Sequence, residues 1–146
     1  MKVFYWSPFF TKIATIQAVI KSAESLVKYK KKDKYDVSII DAVGEWEEYK
    51  QTIDKRINII KLNNKNFVKV IPKNSFLKSR FSYIFIFLFN FFKLKKLIDK
   101  EQPKYLIVHL ITSLPIFLSI FFKKNTKIIL RISGLPKINL LRYFFW

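Results

Sequence analysis

A single histidine, His109, heads the short set of residues whose types and places could do chemistry. It closes the apolar run Lys104-Tyr105-Leu106-Ile107-Val108, which follows Pro103 and reads as a buried strand. At the carboxyl end of a strand, an imidazole can exchange a hydrogen bond with a substrate hydroxyl or phosphate oxygen. The plainer reading is a core histidine satisfied by its neighbours. Ser7, Ser113 and Ser133 offer hydroxyls, but one His serves all three and no G-x-S-x-G elbow occurs, so no nucleophile–base pair can be assembled. Gly44 and Gly134 are the only glycines, which leaves neither a P-loop nor a G-x-G-x-x-G. An anion could still be met at a helix N-terminus. Gly134 fits a turn that needs positive φ, and Lys137 beside it is a candidate anion contact, one lysine among many. Glu45, Glu47 and Glu48 lie close together, yet acids there suit the start of a helix, and nothing nearby in sequence suggests raised pKa values. With no Cys, one His and ten acids, neither thiol catalysis nor a multi-ligand metal site is expected.

The elements that must position these groups follow from periodicity. Lys2 to Trp6 is a β-prone run, with Ser7 to Thr11 as the loop after it. Ile13, Ile16, Ile20, Ala23 and Val27 recur at spacings of three and four and mark an amphipathic helix, with Glu24 and Lys28 paired on its outer face. Tyr35 to Val43 is a second strand ended by Gly44. A short helix from Glu45 to Arg56 follows, with Trp46, Tyr49 and Ile53 on its inner face, and Ile57 to Leu62 is a third strand. Asn63 to Ser79 reads as a polar, basic loop. Ser79 to Lys100 has the length of a helix, apolar nearly all round in its first half.

Lys104 to His109 is the next strand. Thr112 and Ser113 cap a helix over Ile116 to Phe122, with Pro115 near its start. Lys127 to Ile132 is the last strand, and Ser133 to Lys137 is a turn. Strands and helices therefore alternate, which predicts one α/β domain over residues 1–146 with a doubly wound, Rossmann-like parallel sheet. Ligands of such sheets sit outside the carboxyl ends of the strands, where His109, Ser133 and Gly134 fall.

The net charge of +18 favours an anionic partner, such as anionic lipid or a phosphorylated substrate, although a lysine-rich compositional bias also produces it. Nucleic acid is not expected, because the aromatics sit in apolar runs instead of interleaving with lysine. The run Phe81 to Phe92 is about a dozen residues, whereas a span needs ~20. It suits a buried helix or one lying in a membrane interface. Tyr105 to Phe122 is the stronger candidate for a span, opposed by His109, Thr112, Ser113 and Pro115. No secretory signal opens the chain, which points to the cytoplasm.

Several stretches resemble the N-terminal half of bacterial family 4 glycosyltransferases. They are Phe4-Tyr5-Trp6-Ser7-Pro8-Phe9, Ala42-Val43-Gly44-Glu45-Trp46, Phe76 to Tyr83, His109 to Pro115, and Leu130-Arg131-Ile132-Ser133-Gly134-Leu135-Pro136-Lys137. Leu141 to Trp146 is similar to the helix that follows there. The resemblance implies the acceptor-side half of a two-domain GT-B enzyme that transfers sugar with retention. No cofactor is implied, since the nucleotide sugar is a substrate. The partners are that nucleotide sugar and a polysaccharide or lipid-linked glycan acceptor. It also implies peripheral attachment to the inner face of the cytoplasmic membrane, in keeping with the positive charge. His109 would be the catalytic residue, hydrogen-bonded to a sugar or phosphate oxygen. Ser7, Ser133 and Gly134 would line the cleft, with Arg80 and Lys137 as anion contacts.

Two features depart from that pattern. The loop after the first strand is Ser7-Pro8-Phe9-Phe10 where many members carry glycines. No acid follows Glu101, although the family's donor domain carries paired glutamates. The expectation is therefore an incomplete transferase, inactive alone, whose nucleotide-sugar domain lies outside these residues or is encoded separately. The alternatives are a non-enzymatic basic module for membrane surfaces and a small helical membrane protein.

Overall fold

In the computed structural model, residues 1–9, 14–28, 35–68, 70, 76–109, 113–121 and 125–131 are described. They form strand β1 (Lys2–Trp6), helix α1 (Ala14–Lys28), β2 (Asp36–Asp41), β3 (Asn58–Lys61), α2 (Phe76–Glu101), β4 (Tyr105–His109), α3 (Ser113–Ser119) and β5 (Lys127–Arg131). The five strands make one parallel sheet in the order β3-β2-β1-β4-β5. The predicted Rossmann-like α/β fold is present at this level.

The alternation of side chains along each strand divides the core into two halves. Val3 and Tyr5 of β1, with Val37 and Ile39 of β2, meet Val19 and Ala23 of α1 on one face. Phe4, Trp6, Ile40, Leu106 and Val108 meet Leu94 and Ile98 of α2 and Leu118 of α3 on the other. Both faces of the inner strands are therefore covered, which is why their sequences are continuous apolar runs. The chain changes direction across the sheet between β1 and β4. Ligands of open parallel sheets bind at the carboxyl edge beside such a reversal.

Four expectations are corrected. The segment after Gly44 is a series of turns with a single 3-10 helix at Glu47–Tyr49. Its polar side chains take up the backbone groups a helix would use. Thr52 Oγ1 donates to the Tyr49 carbonyl at 2.9 Å, and Asp54 Oδ1 accepts from the Arg56 amide at 3.0 Å. Trp46 and Ile53 are nonetheless buried as expected. Helix α2 begins at Phe76, so the preceding loop is shorter than expected, and it is tethered by Phe67 N–H to the Val43 carbonyl at 2.8 Å. Helix α3 lies earlier than expected, at Ser113–Ser119, because Pro115 is tolerated inside a first helical turn. Finally, of the two settings expected for Phe81 to Phe92, a fully buried helix is ruled out, since one face of α2 is open to solvent. Among the described residues no helix is long and apolar enough to cross a membrane.

Candidate functional site at the carboxyl edge of the sheet

Strand β1 pairs with β4 through Trp6 and Val108. Ser7 follows Trp6 and His109 follows Val108, so each stands one residue beyond the last β1–β4 pair at the point of reversal. Both are buried. The His109 ring lies 5.8 Å from Tyr5, whose hydroxyl is 3.0 Å from Ser22 Oγ of α1. On its other side, His109 is paired in register with Arg131 of β5. Burial, and then the charge of Arg131, lower the imidazole pKa to about 4. His109 is therefore neutral at neutral pH, and its Nε2 has no hydrogen-bond partner among the described residues. A neutral imidazole with an unused nitrogen can accept from, or donate to, a ligand hydroxyl.

A second group of polar side chains closes the end of β2. Gly44 sits at φ +93°, and a Cβ there would lie 2.8 Å from the Asn66 Cα, so only glycine fits this turn. Asp41 Oδ1 accepts from the Gly44 amide at 2.6 Å. Glu45 folds back over the turn and accepts from the Ala42 and Val43 amides at 3.0 and 2.7 Å. Asp41 and Glu45 are both buried. Burial, followed by the hydrogen bond and charge of Asp41, raises the Glu45 pKa well above its ordinary value. That corrects the expectation of ordinary helix-start acids. Asp41 Oδ2 has no hydrogen-bond partner among the described residues.

Among the described residues, the buried side-chain atoms without a partner are Asp41 Oδ2, Trp46 Nε1 and His109 Nε2. All three belong to the carboxyl edge of the sheet, on the face that α1 covers. Trp46 packs edge-on against Phe9 at 5.0 Å, which brings the loops after β1 and β2 together. Buried polar groups are rarely left unpaired, because each costs about 1–3 kcal/mol. Their gathering at one edge marks where a polar ligand would be met. β2 and β4 are two strand spacings apart, roughly 10 Å, which is the scale of one or two sugar rings.

Arg80 lies in the second turn of α2, and its side chain lies outside the described residues, as do Ser133, Gly134 and Lys137. Tyr5, Asp41, Trp46 and Arg131 were not singled out by sequence as site residues. The only sequence signal for the turn was Asp41-x-x-Gly44-Glu45 at a strand end, and Arg131 becomes visible only through the β4–β5 register. Comparison with protein-family models, with curated proteins and with solved structures finds no match.

Proposed function

We propose that these residues form the acceptor-side part of a glycosyltransferase. It would act in moving a sugar from a nucleotide sugar to a polysaccharide or lipid-linked glycan. The observation that carries this reading is His109 Nε2, unpartnered among the described residues and buried at the reversal point of a parallel sheet. A sugar hydroxyl both donates and accepts, so it can use a neutral imidazole, an indole N–H and a carboxylate oxygen. An imidazole with a pKa of about 4 keeps a single N–H at neutral pH, so one ring nitrogen donates and the other accepts. His109 would therefore orient the acceptor hydroxyl, and Ser7 would line the same cleft. Stabilising the departing diphosphate would fall to a donor-side domain outside these residues.

In this reading Arg80, Ser133, Gly134 and Lys137 would complete the acceptor cleft. A lipid-linked acceptor would bring the domain to the inner face of the cytoplasmic membrane as a peripheral protein. The alternative is a basic membrane-surface module with no enzymatic role, and the exposed aromatic residues of α2 favour it.

Saturation-transfer NMR of the intact chain separates the two readings. A farnesyl-diphosphate-linked N-acetylglucosamine should receive saturation at its sugar protons, and a nucleotide sugar should receive none. A probe saturated only along its prenyl chain would contradict the glycan reading.

A further inference from the structure

The backbone amides of the turn that ends β2 are held by side chains alone. Ala42, Val43 and Gly44 follow Asp41, the last paired residue of the strand. Glu45 accepts from the first two amides, at 3.0 and 2.7 Å, and Asp41 Oδ1 accepts from the third, at 2.6 Å. No backbone carbonyl takes any of them among the described residues. The carbonyls of the same residues are met separately, by Asn63 Nδ2 at Ala42, the Phe67 amide at Val43 and Asn66 Nδ2 at Gly44. Two carboxyl groups therefore fix the direction in which the chain leaves the sheet. Trp46 follows at once, edge-on to Phe9 at 5.0 Å.

These two carboxyls need a proton. Asp41 and Glu45 are both buried, and neither has an ion-pair partner among the described residues. They are in hydrogen-bonding contact with each other. Ionised carboxylates only accept, so a hydrogen bond between two of them requires a proton on one. Without it, two like charges would face each other out of water. Among the described residues no cation takes its place. Lys61 of β3 feels the Asp41 charge, but its ammonium is held by Glu47. Lys93 of α2 ends on Asn63. Helix α1 turns Ile16, Val19, Ile20 and Ala23 to this side of the sheet, none of them charged.

We propose that the Asp41–Glu45 pair is a proton-operated latch on the carboxyl edge of the sheet. With a proton between the carboxyls the turn is closed. When that proton passes to water, the carboxyls separate and the amides of Ala42, Val43 and Gly44 are released to solvent. Trp46 then loosens from Phe9, which parts the loops after β1 and β2. The proposal goes beyond the transferase reading and stands without it, because its readout is the turn itself.

The test is amide hydrogen exchange of the intact chain, followed residue by residue by NMR across pH and expressed as protection. In the open turn Glu45 titrates at the ordinary 4.5, and in the closed turn it keeps its proton to higher pH. Protection at Ala42, Val43 and Gly44 should therefore be level below about pH 4.5 and fall by up to about tenfold per pH unit above it. Val37 and Ile39, inside β2, should stay about tenfold or more better protected than the turn at every pH, which marks the opening as local. The Trp46 indole N–H, assigned by its loss in Trp46→Phe, should exchange along with the turn. Glu45→Gln cannot ionise, so its turn should be less protected but level across pH. Asp41→Asn keeps an acceptor for the Gly44 amide and removes the neighbouring charge, so the fall should be smaller and end at lower pH. If Glu45→Gln does not fold, Asp41→Asn decides alone. Three outcomes would each overturn the proposal. One is protection at the turn that does not change with pH. Another is a turn as well protected as Val37 and Ile39 throughout, which is global unfolding. The third is a fall that either folded variant leaves unaltered.

Discussion

Arg131 stands opposite His109 across the β4–β5 ladder, and after burial its charge is the second force that holds the imidazole near pKa 4. The site therefore presents a neutral histidine flanked by a guanidinium, not a second cation. Because His109 is the only histidine, its titration can be read from a single imidazole signal.

Arg131→Gln should raise that pKa toward the ordinary 6.5, while burial keeps it below that value. In the unfolded chain the same imidazole protonates first as pH falls. Between about 6.5 and about 4 the unfolded state thus holds more protons, and folding stability drops as pH is lowered through that window. His109→Gln should remove this part of the pH dependence in urea unfolding. An imidazole titrating near 6.5 in the folded protein would refute the assignment.

Glu45 works in the opposite sense. Its folded pKa is raised above the ordinary 4.5, so its contribution is fully present below that value and is lost as pH rises through the folded pKa. Asp41→Asn removes the neighbouring charge that raises the Glu45 pKa, so the loss should become smaller and be complete at lower pH. Glu45→Gln should flatten the curve above pH 4.5, at some cost in stability, since one of the two accepting oxygens becomes a donor. Thermal unfolding across pH checks both variants.

Gly44→Ala tests the turn itself. Positive φ costs an alanine roughly 1–2 kcal/mol. The new Cβ would also meet Asn66 backbone at 2.8 Å, which a flexible side chain cannot relieve. A loss of about 2 kcal/mol or more in urea unfolding is expected. Loosening of the Asn66 bonds to Gly44 O and Glu47 Oε2 should accompany it.

The strands were legible because each is a β-branched or aromatic run bounded by polar residues, and the order of elements was enough to predict a parallel sheet. The faces of α2 were not legible. Phenylalanine occurs all around its first half, so periodicity could not tell inside from outside. The inner side is chosen by Asn90, whose amide needs Asn63 from a distant loop. Glu45 misled for a related reason, because acids near a presumed helix start usually face solvent. Here the carboxylate folds back onto two amides that its own turn leaves free. Ser7 and His109 are both readable as strand ends, and only the β1–β4 pairing shows that those ends belong to adjacent strands. Ser133, Gly134 and Lys137 lie outside the described residues, so their expected places at the cleft rest on sequence.

The central claim is that the carboxyl edge at His109 receives a glycan hydroxyl. The most direct measurement follows the single imidazole by nitrogen NMR during titration with farnesyl-diphosphate-linked N-acetylglucosamine. The account predicts a saturable shift at His109 Nε2, with the ring still neutral, and loss of probe affinity in His109→Ala. A bound probe that leaves Nε2 unmoved, with affinity intact in His109→Ala, would contradict it.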